Sequence, residues 1–168
     1  MSVMASDRIC ASICTSRPFP KQKLREIVLQ ALYALEIDPE GEESLVSLLM
    51  NEASVSKKNV LYALVFCRAV RANLSELDAL LNATIRTTTL SHLTIIERNI
   101  LRMMLFEYQQ PQTGSPVPVA VLIAETTRLI KKFSYSEGSS LILSVLGSIF
   151  DQHSPDVETP FEPTSMCG

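Results

Sequence analysis

"TIIERNILRMMLFEY", residues 94–108, decides how this chain folds. It carries Ile95, Ile96, Ile100, Leu101, Met103, Met104, Leu105, Phe106 and Tyr108, with Glu97, Arg98, Arg102 and Glu107 set among them. A helix that is apolar nearly all round is a buried helix. At about 100° per residue, Leu101, Met104 and Tyr108 share the side of Glu97. Phe106, Met103, Ile96 and Ile100 lie on the other side, and Arg98 and Arg102 line the border. Three readings of Glu97 stay open. Thr94-x-x-Glu97 is a capping box, in which the carboxylate bonds back to the Thr94 N–H. Both apolar sides can be core, if the helix is central and meets neighbours all round. Or the Glu97 side is exposed and docks a protein partner. Capping and docking are compatible, because a carboxylate has lone pairs for both.

Working outward, the flanking segments are helical as well. In "KQKLREIVLQALYALEID" the residues Leu24, Ile27, Val28, Ala31, Leu32 and Leu35 form one stripe at helical spacing. Opposite it stand Glu26, Leu29 and Tyr33, which makes Tyr33 an outward aromatic of the kind that interfaces favour. Asp38-Pro39 and Gly41 end this helix. A short helix is expected over 43–52, then a long one over 57–83 with a kink near Asn73–Ser75. "TIRTTTLSH" is a connector with room for one helical turn. The helix at 94–108 closes at Pro111 and Gly114. Another follows over 117–133, and Ser136 is a candidate cap for the last, which runs to about residue 150. Strand alternation is scarce. The class is all-α, a bundle of six or seven helices forming one domain over residues 19–152. Residues 1–18 read as a mobile extension, and residues 153–168 as an acidic, proline-containing tail.

Composition fits a globular chain long enough to build a core. It has 168 residues, 46% of them apolar and 20% charged. No apolar run approaches the ~18 residues of a membrane span. The first residues lack the continuous apolar stretch of a secretory signal. Cys10, Cys14, Cys67 and Cys167 form no disulfide framework, which suits a reducing cytoplasm. Cys10-x-x-x-Cys14, with His92 and His153 elsewhere, is a weak metal pattern, and solvated thiols are the preferred reading. The formal net charge is −3. Residues 19–150 are neutral, with 13 basic and 13 acidic side chains. That balance is not the basic surface of a general nucleic-acid binder.

Three stretches in fixed order carry a family resemblance: "KLREIVLQALYALE", "LSHLTIIERNILRMMLFEY" and "PVPVAVLIAETTRLIKKFSYSEGSSLILSVLGSI". Together with "LSELDALLN" they resemble the NusB family, the bacterial transcription antitermination factors, over about residues 20–150. The resemblance implies an all-helical fold of two packed bundles, about seven helices in all, and a non-enzymatic protein without cofactor or metal. It implies binding to single-stranded RNA of the boxA type in ribosomal RNA leader transcripts. It also implies pairing with ribosomal protein NusE within the transcription elongation complex. On that match Lys21, Lys23 and Arg25 are candidate RNA contacts at the start of the first helix. Tyr33 and Glu97 become candidate NusE contacts, with Leu101, Met104 and Tyr108 on the Glu97 side.

The chain also departs from the family pattern. "PFPKQKLRE" has three spaced cations where an arginine-rich run is usual. Ala124-Glu125 stands for Asn-Glu, and Phe133-Ser134 for Phe-Gly. Leu141-Ile142-Leu143-Ser144 stands for Phe-Val-Asn-Gly. These departures motivate an alternative: a helical adaptor that keeps the NusE interface and has little RNA binding. Catalysis ranks third. No Gly-rich cofactor loop or nucleophile elbow is present. Glu42-Glu43 read as solvated, and His92 and His153 lie in loops with no evident partner.

Overall fold

The computed structural model describes residues 19–110, 115–134 and 138–153. The two expected tails lie outside the described residues, apart from His153. So do Cys10, Cys14, Cys167, the Pro111–Gly114 stop and the Ser136 cap. Seven helices are described, and the all-helical class stands. They are α1 Lys21–Ile37, α2 Glu42–Ala53, α3 Lys57–Ala72, α4 Leu74–Thr84, α5 Ile95–Gln109, α6 Val119–Phe133 and α7 Ser139–His153. A single 3₁₀ turn, Leu90–His92, sits in the Thr-rich connector. The chain divides into two compact units, and the division falls inside α3, between Arg68 and Ala69.

In the first unit α1 packs on α2. Ile27, Val28, Ala31, Leu32 and Leu35 are all buried, as their spacing predicts. Leu29 and Glu26, expected on the outward side, are buried too, so α1 is covered on more than one face. Ser54 ends α2 in the left-handed region at φ 51°. Only three residues then separate α2 from α3. Glu42, expected in a solvated segment, lies at the surface and binds Arg68 there through the guanidinium Nε and Nη2. That contact ties the start of α2 to a point late in α3. The hydrogen bond that Arg68 donates to Glu42 raises the Arg68 pKa above its ordinary value, against a smaller opposing effect of burial.

In the second unit the expected long helix breaks in two at Asn73. Its side-chain Nδ2 donates to the Ala69 carbonyl at 2.8 Å, and its own carbonyl accepts from Leu77 N–H at 3.0 Å. One residue therefore closes α3 and opens α4. The 3₁₀ turn is pinned by Leu90 N–H donating to Asn82 Oδ1 at 3.1 Å. His92 does have a partner, for its Nδ1 shares a 2.9 Å hydrogen bond with Thr89 Oγ1. Helix α5 packs against α4, α6 and α7. It is the central helix of this unit, and every side chain from Asn99 to Glu107 is buried.

Candidate functional site

The central position of α5 explains its four charges. Glu97 is 7% exposed and closes the capping box in both directions. Its Oε2 accepts the Thr94 N–H at 2.9 Å, and its own N–H donates to Thr94 Oγ1 at 3.3 Å. Its Oε1 also accepts the Ser134 hydroxyl at 3.3 Å, at the end of α6. Arg98 Nη1 donates to the Leu93 carbonyl at 2.9 Å, which steadies the entry to the helix. Arg102 donates twice to Asp78 of α4, both times at 2.7 Å, and once to Asn99 Oδ1 at 3.2 Å. Glu107 is buried and partnered. Low-dielectric surroundings demand such pairing, since an unpaired buried charge is costly.

The exposed apolar patch expected around Glu97 needs correcting. Leu101 and Met104 have no exposed surface, so they belong to the core and offer nothing to a partner. Tyr108 is half-buried, its ring tilted against Phe150 of α7 with centroids 4.5 Å apart. On this side of α5 only the Glu97 and Tyr108 side chains approach the surface. Periodicity placed these residues on one side correctly, but it could not count the helices that cover that side.

At the start of α1 the three candidate cations separate. Lys21 is exposed. Lys23 lies 3.8 Å from Glu26 Oε2, a long ion pair between a half-buried lysine and a mostly buried carboxylate. Arg25 is 3% exposed and partnered, so it is not the solvated cation expected from sequence. Alternate positions do not share a helix face, so Lys23 points away from Lys21; Arg25, one turn from Lys21, shares its face but is covered by the core. The N-cap is Pro20, with no side-chain cap and no acidic residue in the first turn. The positive end of α1 is therefore left to Lys21 and Lys23 and to whatever anion approaches. Tyr33 stands three turns further on, 40% exposed, with Ile37 exposed one turn beyond it. Sequence reading noted Ser134 as a departure but not its contact: its hydroxyl, 37 residues on, reaches Glu97 from the end of α6.

Among the described residues no group of three His, Cys, Asp or Glu side chains could hold a metal ion. No described helix is long and apolar enough to cross a membrane.

Comparison with known proteins bears on the family and the fold. The chain is 81% identical over 168 residues to the transcription antitermination protein NusB of Chlamydia trachomatis serovar L2, covering 100% of both chains. Among solved structures it is similar to T. maritima NusB, with a TM-score of 0.65 and 25% identity, covering 83% of this chain and 96% of that one. It also shares the fold of an antitermination-factor structure of NusB and NusE in complex with double-stranded RNA. There the TM-score is 0.62 and identity 18%, covering 79% of this chain and 97% of that one. The family model described as the NusB family matches residues 22–151, and this chain belongs to the NusB family.

Proposed function

We propose that the chain is a transcription antitermination factor that binds boxA-type RNA of nascent ribosomal transcripts together with ribosomal protein NusE. The observation that carries this reading is its 81% identity along its whole length to a protein named for transcription antitermination. It acts by binding within the transcription elongation complex in the cytoplasm, with no catalytic step. Lys21 and Lys23, at the uncapped positive end of α1, meet phosphates of the RNA. Tyr33 on α1 and Glu97 with Tyr108 on α5 meet the protein partner, each from its own unit. Leu101 and Met104 serve from behind, as the packed base that fixes Glu97 and Tyr108.

One observation bears on the adaptor alternative. With Arg25 buried and Lys23 beside Glu26, the basic start of α1 is smaller than three cations suggest. RNA held by so few phosphate contacts binds weakly on its own, and NusE has to add surface. The test is fluorescence anisotropy of a labelled boxA RNA with the full chain, alone and with NusE. Weak binding alone that tightens at least tenfold with NusE is expected. No RNA in the mixed complex at micromolar concentration would leave the adaptor as the correct reading.

A further inference from the structure

Glu97 stands where three pieces of the second unit meet: the start of α5, the end of α6 and the start of α7. Its Oε2 is committed to the Thr94 N–H at 2.9 Å, which fixes the carboxylate against the helix end. Its Oε1 has the Ser134 hydroxyl at 3.3 Å, beyond the ~2.5–3.0 Å of a good O–H···O bond. On the other flank lies Gly138, just ahead of α7. A Cβ there would overlap Oε1 and stand 3.0 Å from the carboxylate carbon. Glycine is what leaves room for the carboxylate at this place. Ser134 and Gly138 are both half-buried, and Glu97 itself is 7% exposed.

We propose that Gly138 and Ser134 are positioning residues for partner binding: Gly138 leaves the room in which Glu97 Oε1 stands, and Ser134 occupies that oxygen until a cationic side chain of the protein partner displaces it. This rests on the reading that Glu97 meets NusE. A buried carboxylate favours a charged donor over a neutral hydroxyl, because charge-assisted bonds are shorter and roughly twice as strong. The long Ser134 bond is the easier one to exchange. The Thr94 bond stays in place throughout, so helix capping and docking use different oxygens of one side chain.

Calorimetric titration of the full chain with purified NusE, at low and high salt, tests this. Glu97→Gln should bind at least tenfold more weakly, with a flatter salt dependence. Gly138→Ala should bind about tenfold more weakly at unchanged helicity, because the carboxylate is pushed off its place. Ser134→Ala should bind roughly two- to fivefold more tightly with the parent's salt dependence, because a competing donor is gone. A purely structural hydrogen bond gives no such gain when removed. If Glu97→Gln binds like the parent, the underlying docking reading fails. If Glu97→Gln weakens binding while Ser134→Ala fails to tighten it, Glu97 still meets NusE but the positioning proposal is wrong. Should Gly138→Ala not fold, the sign of the Ser134→Ala effect decides alone.

Discussion

Arg102 and Asp78 are joined by two parallel hydrogen bonds of 2.7 Å, one from Nε and one from Nη2, and this fork holds α5 to α4. The Arg102 side chain is 11% exposed and that of Asp78 30%. A fully buried pair that loses one partner costs ~3–5 kcal/mol, since the other charge is left without compensation. Water at Asp78 lowers this to about 2–3 kcal/mol. Asp78→Ala should therefore lower the melting temperature by roughly 5–10 °C, at ~2–4 °C per kcal/mol for a chain of this size. Replacing both together, Asp78→Leu with Arg102→Met, should cost less than Asp78→Ala alone. Equal losses in the two variants would mean that packing, and not the buried charge, dominates at this site.

Capping and docking can be separated at Thr94. Thr94→Ala removes the Oγ1 acceptor for the Glu97 N–H but keeps the backbone N–H that holds Oε2. Loss of such a cap costs ~1 kcal/mol. The variant should melt a few degrees lower and bind NusE as the parent does. Glu97→Lys should lose both stability and NusE binding, seen as a lower melting temperature and absence of co-elution on gel filtration. If Thr94→Ala also abolishes co-elution, the partner depends on the cap itself.

How far the sequence could be read differs from helix to helix. The stripe of α1, the capping box and the all-helical class were legible because they depend on spacing within one segment. The break between α3 and α4 was visible only as a kink, since Asn73 closes one helix with its side chain and opens the next with its carbonyl. What the sequence could not reveal was how many neighbours each helix has. Leu29, Arg25, Leu101 and Met104 sit where a single stripe leaves an outer face, and all four are buried. Periodicity gives the direction of a side chain but not what covers it. The roles of Ser134 and Gly138 were equally hidden, because both depend on a carboxylate some forty residues away in sequence.

The end of α2 offers a stability gain. Ser54 is the one non-glycine residue with positive φ among the described residues. The left-handed conformation costs an L-residue about 1–2 kcal/mol. Glycine avoids this but loses ~0.5–1 kcal/mol through the greater freedom of its unfolded chain. The difference predicts that Ser54→Gly stabilises the chain by ~0.5–1 kcal/mol, a rise of about 1–4 °C in melting temperature. Differential scanning calorimetry would measure it. A decrease would mean that the Ser54 side chain contributes more in place than its backbone costs.

The RNA contacts give the last prediction, and it follows from the way the three cations part. Lys21 and Lys23 are the ones left to meet phosphates, and each contact on a single strand contributes about −0.7 to the log–log salt slope. The slope for boxA RNA from this site is then roughly −1.4, against about −2 if Arg25 also took part. Lys21→Gln should flatten the slope by about 0.7 and weaken every RNA sequence to the same extent, because phosphate contacts position the strand without reading it. Arg25→Gln should behave differently. Its side chain is 3% exposed, so the change removes a buried, partnered charge and lowers the melting temperature while the salt slope stays the same. Salt titrations of the two variants, each with a thermal melt, separate the roles. A flattened slope in Arg25→Gln at unchanged stability would place Arg25 on the RNA after all, and would require α1 to turn that side chain outward when RNA binds.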